Sequence, residues 1–478
     1  MTETCVYSFD PGEADSSSID LKWECPHETY IDTDYCIFHL PPETRDKLGV
    51  TEVDLREEFL EKASSEDGSQ RAFVGAVFGD FEIDLQEVGG GSDAPVDLRH
   101  VEVDGHLDMT GSTFDADLLL DDSSFQKLDA ADADLRDVSV ERCTFTNDVN
   151  FDGARIDEAS FSRSKFEASA VYSDADFQGH ADFTRASFDG PKTVFKSTEF
   201  HGGVDFERAR FGELGFSAAH VDGLASFEHA KFQDDVSFEH ADFEDVSFED
   251  AEFDGNSSFR GVDYHGHANY ADTSFRGWVS FLDVEFDSGA SFEGAWFKKD
   301  VNIVASSKDN STVDLSGARM NGGTLETQGF DPVFYDFTRA RIGRLKLTSD
   351  GDDGNPFKYV RFLETKFNGF DFDRHADYLE GVDWEMHKTL LSDEEPPLET
   401  LENTYRLAAR DARASDMKAG KKLGKKEAAY RRQRLKKEGR GASWLLSAVR
   451  SHALKIGVVA GLVVALVVGG AFYVGLIP

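Results

Sequence analysis

The sequence predicts an all-β solenoid of square cross-section, and three observations predict it. Bulky apolar residues recur at steps of five or six: Phe227, Phe232, Phe238, Phe243, Phe248, Phe253, Phe259, Tyr264, Tyr270, Phe275, Phe281, Phe286, Phe292, Phe297 and Ile303. Small or β-branched residues stand two positions before many of these marks, at Ala241, Val246, Ala251, Ala290, Ala295 and Val301. Between the marks lie Asp, Glu, Ser, Gly and His. A step of five fits neither a lone helix, with period 3.6, nor a strand, with period 2. Self-similarity at a fixed short period is the sign of a solenoid. With the large residue and its small partner both pointing inward, each step is one short side, and four sides close a coil. After Phe253 the steps alternate strictly between six and five. The sixth residue is expected as a bulge at a corner.

The repeats themselves narrow this further. Ala-Asp-Phe-Gln-Gly (175–179), Ala-Asp-Phe-Thr-Arg (181–185), Ala-Lys-Phe-Gln-Asp (230–234), Ala-Asp-Phe-Glu-Asp (241–245) and Ala-Glu-Phe-Asp-Gly (251–255) resemble pentapeptide repeats. The resemblance implies a right-handed quadrilateral β-helix with Phe, rather than Leu, at the central position. Fifteen marks in phase argue against the chance periodicity of an ordinary β-sandwich.

The chain has 478 residues, 41 of them Phe, and a net charge of −42 from 92 acidic and 50 basic residues. A solenoid can exceed the usual domain size, because each coil contacts only its neighbours. Residues 401–455 hold 16 Lys plus Arg against 5 Asp plus Glu, a net of +11, so the remainder carries −53. Two readings compete for that acidity. An acidic surface stays hydrated in concentrated salt, where repulsion is screened within a few ångströms. Alternatively, some pentapeptide-repeat proteins resemble a DNA duplex and occupy topoisomerase DNA sites. Solvation is favoured, because the acids also fill segments outside the repeats, such as 52–61 and 80–87.

Residues 1–45 read as a separate N-terminal module. Cys5, Cys25, Cys36 and His39, with Cys-Ile-Phe-His as a close Cys-x2-His pair, form a candidate Cys3His site for one structural Zn2+. His27 is a spare candidate. Free thiols in a loosely packed cap are the other reading, and a disulfide is disfavoured in a reducing compartment. The spacing is similar to that of haloarchaeal pentapeptide-repeat proteins. Residues 46–70 supply a short amphipathic helix, Thr51–Lys62, with Val53, Phe59 and Leu60 apolar, and a linker. Module and helix are the natural cover for an open sheet edge.

The β-helix is expected over 71–373. It starts at Phe73, Phe78 and Ile83, pauses at the Gly-rich loop 89–95, and resumes at Leu98, Val103, Met109, Phe114, Leu119, Phe125, Ala130, Leu135, Val140, Phe145, Phe151, Ile156, Phe161 and Phe166. Cys143 falls in a small inward slot and reads as an inert buried thiol. From Phe177 the beat runs on to the ruler above. It returns after the loop 306–311 at Leu315, Met320 and Leu325, then at Phe337, Ile342, Phe362, Phe367 and Phe372. About 13 coils at about 4.8 Å each make a rod of about 60 Å.

Residues 374–397 are an acidic connector, and 398–440 a basic helical linker, broken near 415–416, with Leu401, Tyr405, Ala408 and Ala412 on one face. This linker resembles a segment that joins pentapeptide repeats to membrane helices, in some cases to a two-helix channel pore. Here a single apolar segment follows, within 454–478. Ile456–Ile477 has 22 residues without a charge, enough to cross about 30 Å of hydrocarbon. The preceding cations keep the bulk of the chain cytoplasmic. Gly457, Gly461, Ala465 and Gly469 recur every four residues, a small-residue face suited to a parallel homo-oligomer.

No phosphate loop, HExxH or GxSxG motif occurs, and the repeat carboxylates and His220, His229 and His240 fall on outward or corner positions. His265 and His267 read as lacking further ligands. The function expected is a non-enzymatic, membrane-tethered scaffold or protein-binding rod at the cytoplasmic face of the cell membrane. A regulatory part of an ion-channel-like assembly is the first alternative, testable by conductance. A DNA-mimicking topoisomerase-interacting protein is the second, testable by supercoiling assays. Direct nucleic-acid binding is not expected.

Overall fold

The computed structural model describes residues 3–13, 19, 21–79, 83–85, 88, 93–308, 311–327, 332–350, 354–375, 378, 396–415 and 417–438. The apolar segment 454–478, with Gly457, Gly461, Ala465 and Gly469, lies outside the described residues, as does most of the connector 374–397. Among the described residues no helix is long and apolar enough to cross a membrane.

From Val77–Gly79 to Lys366–Phe367 the chain winds into one parallel β-solenoid. Each strand pairs with strands one coil before and one coil after. Asp242 and Phe243 pair with His220 and Val221 on one side and with Asp263 and Tyr264 on the other, so a coil takes 22 or 21 residues. Parallel strands need a crossover to return in register, and here the other three sides of the coil are that crossover.

The core is four stacks of side chains, one per side. Stack I runs Phe161, Phe183, Phe206, Phe227, Phe248, Tyr270 and Phe292, with centroids 4.7–4.9 Å apart. Stack II is unbroken from Phe125 to Phe297 through Phe145, Phe166, Phe188, Phe211, Phe232, Phe253 and Phe275. Stack III contains Phe151, Tyr172, Phe195, Phe216, Phe238, Phe259 and Phe281. Stack IV contains Phe177, Phe200, Val221, Phe243, Tyr264 and Phe286. The expected core residues Phe227, Phe232, Phe238, Phe243, Phe248, Phe253 and Phe259 are all at most 1% exposed. Stacks I and III, on opposite sides of the coil, meet edge to face, as Phe227 does with Phe238 at 5.5 Å and 86°. Offset stacking and edge-to-face contact are the two geometries that the ring quadrupole favours.

Val221 is the one small member between the rings of stack IV. Phe216, of stack III, lies parallel to both flanking rings, Phe200 at 6.0 Å and Phe243 at 5.9 Å, and fills the gap. Two details differ from the sequence reading. Leu120, not Leu119, is the buried mark, since Leu118 and Leu120 point inward and Leu119 is half-buried. Tyr172, off the expected series, is fully buried between Phe151 and Phe195.

The alternation of five and six is an alternation of corners. Two residues past stack I or III stands a residue in the left-handed region: His229 (φ 57), His240 (φ 59), Asp250 (φ 57), Asp272 (φ 53). The turn closes when Ala230 N–H donates to Phe227 O at 3.1 Å, or Ala241 N–H to Phe238 O at 3.0 Å. These tight corners give the five-residue steps. The corners after stacks II and IV are wider and in most coils hold the sixth residue, whereas Phe211 to Phe216 and Phe243 to Phe248 are again steps of five.

Helical and irregular segments cover both ends. Helix α1, Pro42–Leu48, was not expected and crosses the boundary drawn at 45. Pro42 starts it and Gly49, in αL, stops it, a standard pairing of signals. Helix α2, Glu52–Ala63, is closed by a capping box between Thr51 and Asp54. Its inner face is Leu55, Phe59 and Ala63. Val53, expected there, is 62% exposed, because the 3.6-residue period places 55, 59 and 63 on one side and 53 on the other.

At the far end, α3 (Leu398–Ser415) and α4 (Met417–Lys437) form an antiparallel hairpin. Tyr405 stacks on Tyr430 at 5.5 Å, and Arg434 pairs with Glu402 at 2.8 Å. The expected face of Leu401, Tyr405, Ala408 and Ala412 is buried. Helix α3 also satisfies the last coil's edge. Glu364 N–H donates to Thr404 Oγ1 at 2.9 Å, and Phe367 N–H to Asp411 Oδ2 at 3.1 Å. Unpaired edge N–H groups are what would otherwise recruit another strand.

Candidate metal centre

The N-terminal cap is a short antiparallel pair, Ser8–Phe9 with Trp23–Glu24, followed by a tight loop over Cys36–His39. Cys5 N–H donates to His27 O at 2.9 Å, Cys25 N–H to Tyr7 O at 3.0 Å and His39 N–H to Cys36 O at 3.1 Å. Backbone pairing thus draws together side chains 34 residues apart in sequence. The Cys5, Cys25, Cys36 and His39 side chains are all buried, and their ligand atoms lie within 4.8 Å of one another.

The donor spacing fits a tetrahedral ion. With Zn–S of about 2.3 Å, two thiolates on one ion sit about 3.8 Å apart. Cys25 Sγ and Cys36 Sγ are 3.8 Å apart. His39 Nδ1 is 3.1 Å from Cys36 Sγ and 3.8 Å from Cys5 Sγ. The other ring nitrogen, Nε2, donates to the Val74 carbonyl at 2.9 Å, which leaves the Nδ1 lone pair facing the sulfurs. Such an outer hydrogen bond is the usual device that fixes a ligating histidine. Hydrogen bonds from Cys25 and Cys36 hold the Cys5 thiol well below its ordinary range. The mutual bond with Cys36 pushes Cys25 upward, so the three sulfurs share protons rather than acting alone. The cluster could hold one metal ion.

The shell around it ties the cap to the first coil. Tyr7 stacks on His39 at 3.9 Å and 9°. Gly75, with φ +70, sits where an added Cβ would collide with the Tyr7 ring. Arg45 of α1 is buried and donates through Nε to Leu40 O at 3.0 Å and through a second nitrogen to Val77 O. Phe9 stacks on His100 at 4.1 Å. His27, the spare candidate, is not a member. Its Nε2 donates to Gln70 O at 2.9 Å, and burial between Phe38 and Phe73 pushes its pKa down to about 4. The thiol of Cys143 is buried in the solenoid and donates to Leu120 O at 3.0 Å, with burial pushing its pKa up.

A second grouping went unread in the sequence. His201 lies within ion-pair distance of Asp176, Glu199 and Asp222, at 3.3, 3.6 and 2.7 Å. His220 bridges Asp222 and Asp242 at 2.8 and 3.5 Å. His265, which reads in sequence as lacking further ligands, bridges Asp242 and Asp287 at 3.0 and 3.4 Å. Apart from the two-residue neighbours Glu199 and, for His220, Asp222, the partners come from coils above and below, so their adjacency appears only when the sequence is folded into coils. All three imidazoles are exposed, and the arrangement is an alternating charge ladder on the stack IV side.

Comparison with known families agrees with this architecture. Residues 141–187, 172–220 and 216–263 match the family model described as Pentapeptide repeats (9 copies). No curated protein matches the chain.

Proposed function

We propose that this chain is a non-enzymatic binding rod, tethered to a membrane through its C-terminal apolar segment and closed at its N-terminus by one Zn2+. The observation that carries the binding reading is the regularity of the outer faces. Side chains one coil apart stand in direct register, as Lys231, Glu252 and Ser274 do. A repeating flat face of that kind suits an extended partner surface, as in other solenoids. The tether rests on the uncharged run 456–477 and on the basic stretch before it, in which α4 carries many cations. The acidity of the rest of the chain is read as solvation in concentrated salt. Zn2+ suits three thiolates and an imidazole better than a hard cation would, and its role here is to hold the cap together.

Two measurements test the reading. The full chain should remain with membranes after alkaline extraction, and release into the soluble fraction would refute the tether. Full-length protein purified without chelators should contain about one equivalent of zinc, as a single closed site requires. Metal-free protein with a folded cap would refute the zinc assignment.

A further inference from the structure

On the stack II side, the last coils break the charge pattern of the rod. Trp296, Arg319, Arg341 and Lys366 each precede a stack II position, and successive members pair directly through the sheet. The strand segments 296–300, 319–322, 341–344 and 366–368 hold six cations and one acid, Asp300, in a chain where acids outnumber cations 92 to 50. Lower on the same side acids are interspersed with the cations, although Arg210 stands opposite Lys231 with no ion pair among the described residues. Lys231 pairs with Glu252 at 3.0 Å, and Glu252 with Arg276 at 3.1 Å. Among the described residues Arg319, Arg341 and Lys366 have no ion pair, though they stand one above another at about 4.8 Å spacing. Like charges directly opposite in a sheet are unfavourable, so this column is at odds with folding stability alone.

Two exposed indoles complete the patch. Trp278 is 52% exposed, and Trp296 38%. Lys299 Nζ lies 5.9 Å from the Trp278 ring centroid. Exposed Trp beside Lys and Arg on a flat surface is the composition that settles at a headgroup layer, since indole is apolar with one polar edge. The patch also lies at the end of the rod that α3 covers, and 17 residues separate Glu438, where the described chain stops, from Ile456.

We propose that this face, centred on Trp278, Trp296, Lys298, Arg319, Arg341 and Lys366, lies on the anionic headgroups of the tethering membrane. It rests on the tethered reading, and it holds the rod's last coils against the bilayer rather than upright from it. Each cation near an anionic leaflet adds to the attraction, and the unpaired column gains the counter-charge that it lacks in the rod. A single-stranded nucleic acid would also want cations and stacking rings, but it is usually tracked by a groove, and these residues form a flat strand face.

The test uses the full chain reconstituted into vesicles of phosphatidylcholine with and without phosphatidylglycerol, each doped with headgroup-spin-labelled lipid. The quenching due to Trp278 and Trp296 is the difference between the parent and Trp278→Phe/Trp296→Phe. Quenching in anionic but not neutral vesicles is expected. Arg319→Gln/Arg341→Gln/Lys366→Gln should return it to the neutral level, in line with about fivefold weaker association per charge removed. All three positions are exposed, so the variant keeps its fold. A chain that floats with neutral vesicles but shows no such quenching in anionic ones keeps the tether and overturns the face. A chain that floats only with anionic vesicles keeps the face and overturns the tether. Shielding of the two indoles by an oligonucleotide, undiminished when anionic vesicles compete, overturns the lipid assignment.

Discussion

Phe248 and Cys36 show two ways of holding a buried side chain. Phe248 sits between Phe227 and Tyr270, each at 4.8 Å, and these neighbours are its own equivalents one coil away. Cys36 sits beside Cys25 and His39, with Cys5 completing the group, and none of these is a copy of another. In the rod, one geometry repeats, and losing one member leaves similar neighbours on either side. In the cap, four side chains from distant points meet once, within a segment too small to bury a sizeable core. The difference teaches where each region is vulnerable: the rod to a charge or a clash in its stacks, the cap to loss of one of its four clustered side chains or of the shell that orients them.

The largest expected effect lies in the rod. Phe248→Asp places an unpaired carboxylate among fully buried rings. Thermal or denaturant unfolding should show a loss on the order of 4–5 kcal/mol or more. Unchanged stability would mean that position 248 does not face inward. Val221→Phe tests whether the stacks are truly filled. Its volume is already occupied by Phe216, so a ring there should destabilise by about 1–3 kcal/mol through overpacking. A gain in stability would instead show an unfilled gap.

In the cap, Gly75→Ala forces a side chain into αL and against the Tyr7 ring that packs on His39. A loss of about 1–3 kcal/mol is expected, confined to the cap. The readout is limited proteolysis within residues 3–48, and equal protection in both proteins would show that Tyr7 moves freely aside.

The smallest effect concerns the surface ladder. The Asp222 carboxylate, hydrogen-bonded to His201, raises the His201 pKa, and the imidazoles of His201 and His220 lower that of Asp222. The His201 contribution is complete below about pH 6.5, its unfolded value, and fades as pH rises through the folded value. The Asp222 contribution is complete above about pH 3.9 and fades as pH falls. The pair therefore acts most between those limits, and at an exposed site it is worth less than about 1 kcal/mol. An NMR titration should find the His201 midpoint lower in Asp222→Asn than in the parent. An unmoved midpoint would dissolve the ladder.

The same comparison explains what was legible in the sequence. The stacks were readable because Phe227 to Phe297 repeat one constraint, and even the five–six alternation has a single cause in the two kinds of corner. The slips fell where the constraint weakens. Three consecutive leucines at 118–120 do not reveal which faces inward, and Tyr172 carries a hydroxyl in a position usually given to Phe. The clustering of Cys5, Cys25, Cys36 and His39 was readable from Cys and His chemistry, with the Cys-x2-His pair as the anchor. Their shell was not. Tyr7 and Val74 meet His39, and Gly75 meets Tyr7, only through tertiary approach, and helix α1 is too short to show a period. The partners of His201 and His265 were hidden for a related reason, since coil spacing converts a separation of 21–23 residues into contact.

Hydrogen exchange on the full chain, before and after treatment with a chelator, tests the proposed zinc and the division between the two regions most directly. Zinc removal should accelerate exchange across residues 3–48, where Cys5, Cys25, Cys36 and His39 converge, and leave the amides from Phe161 to Phe297 as protected as before. Unchanged protection over 3–48, or loosening that spreads along the whole rod, would contradict a metal-held cap on a rod that holds itself.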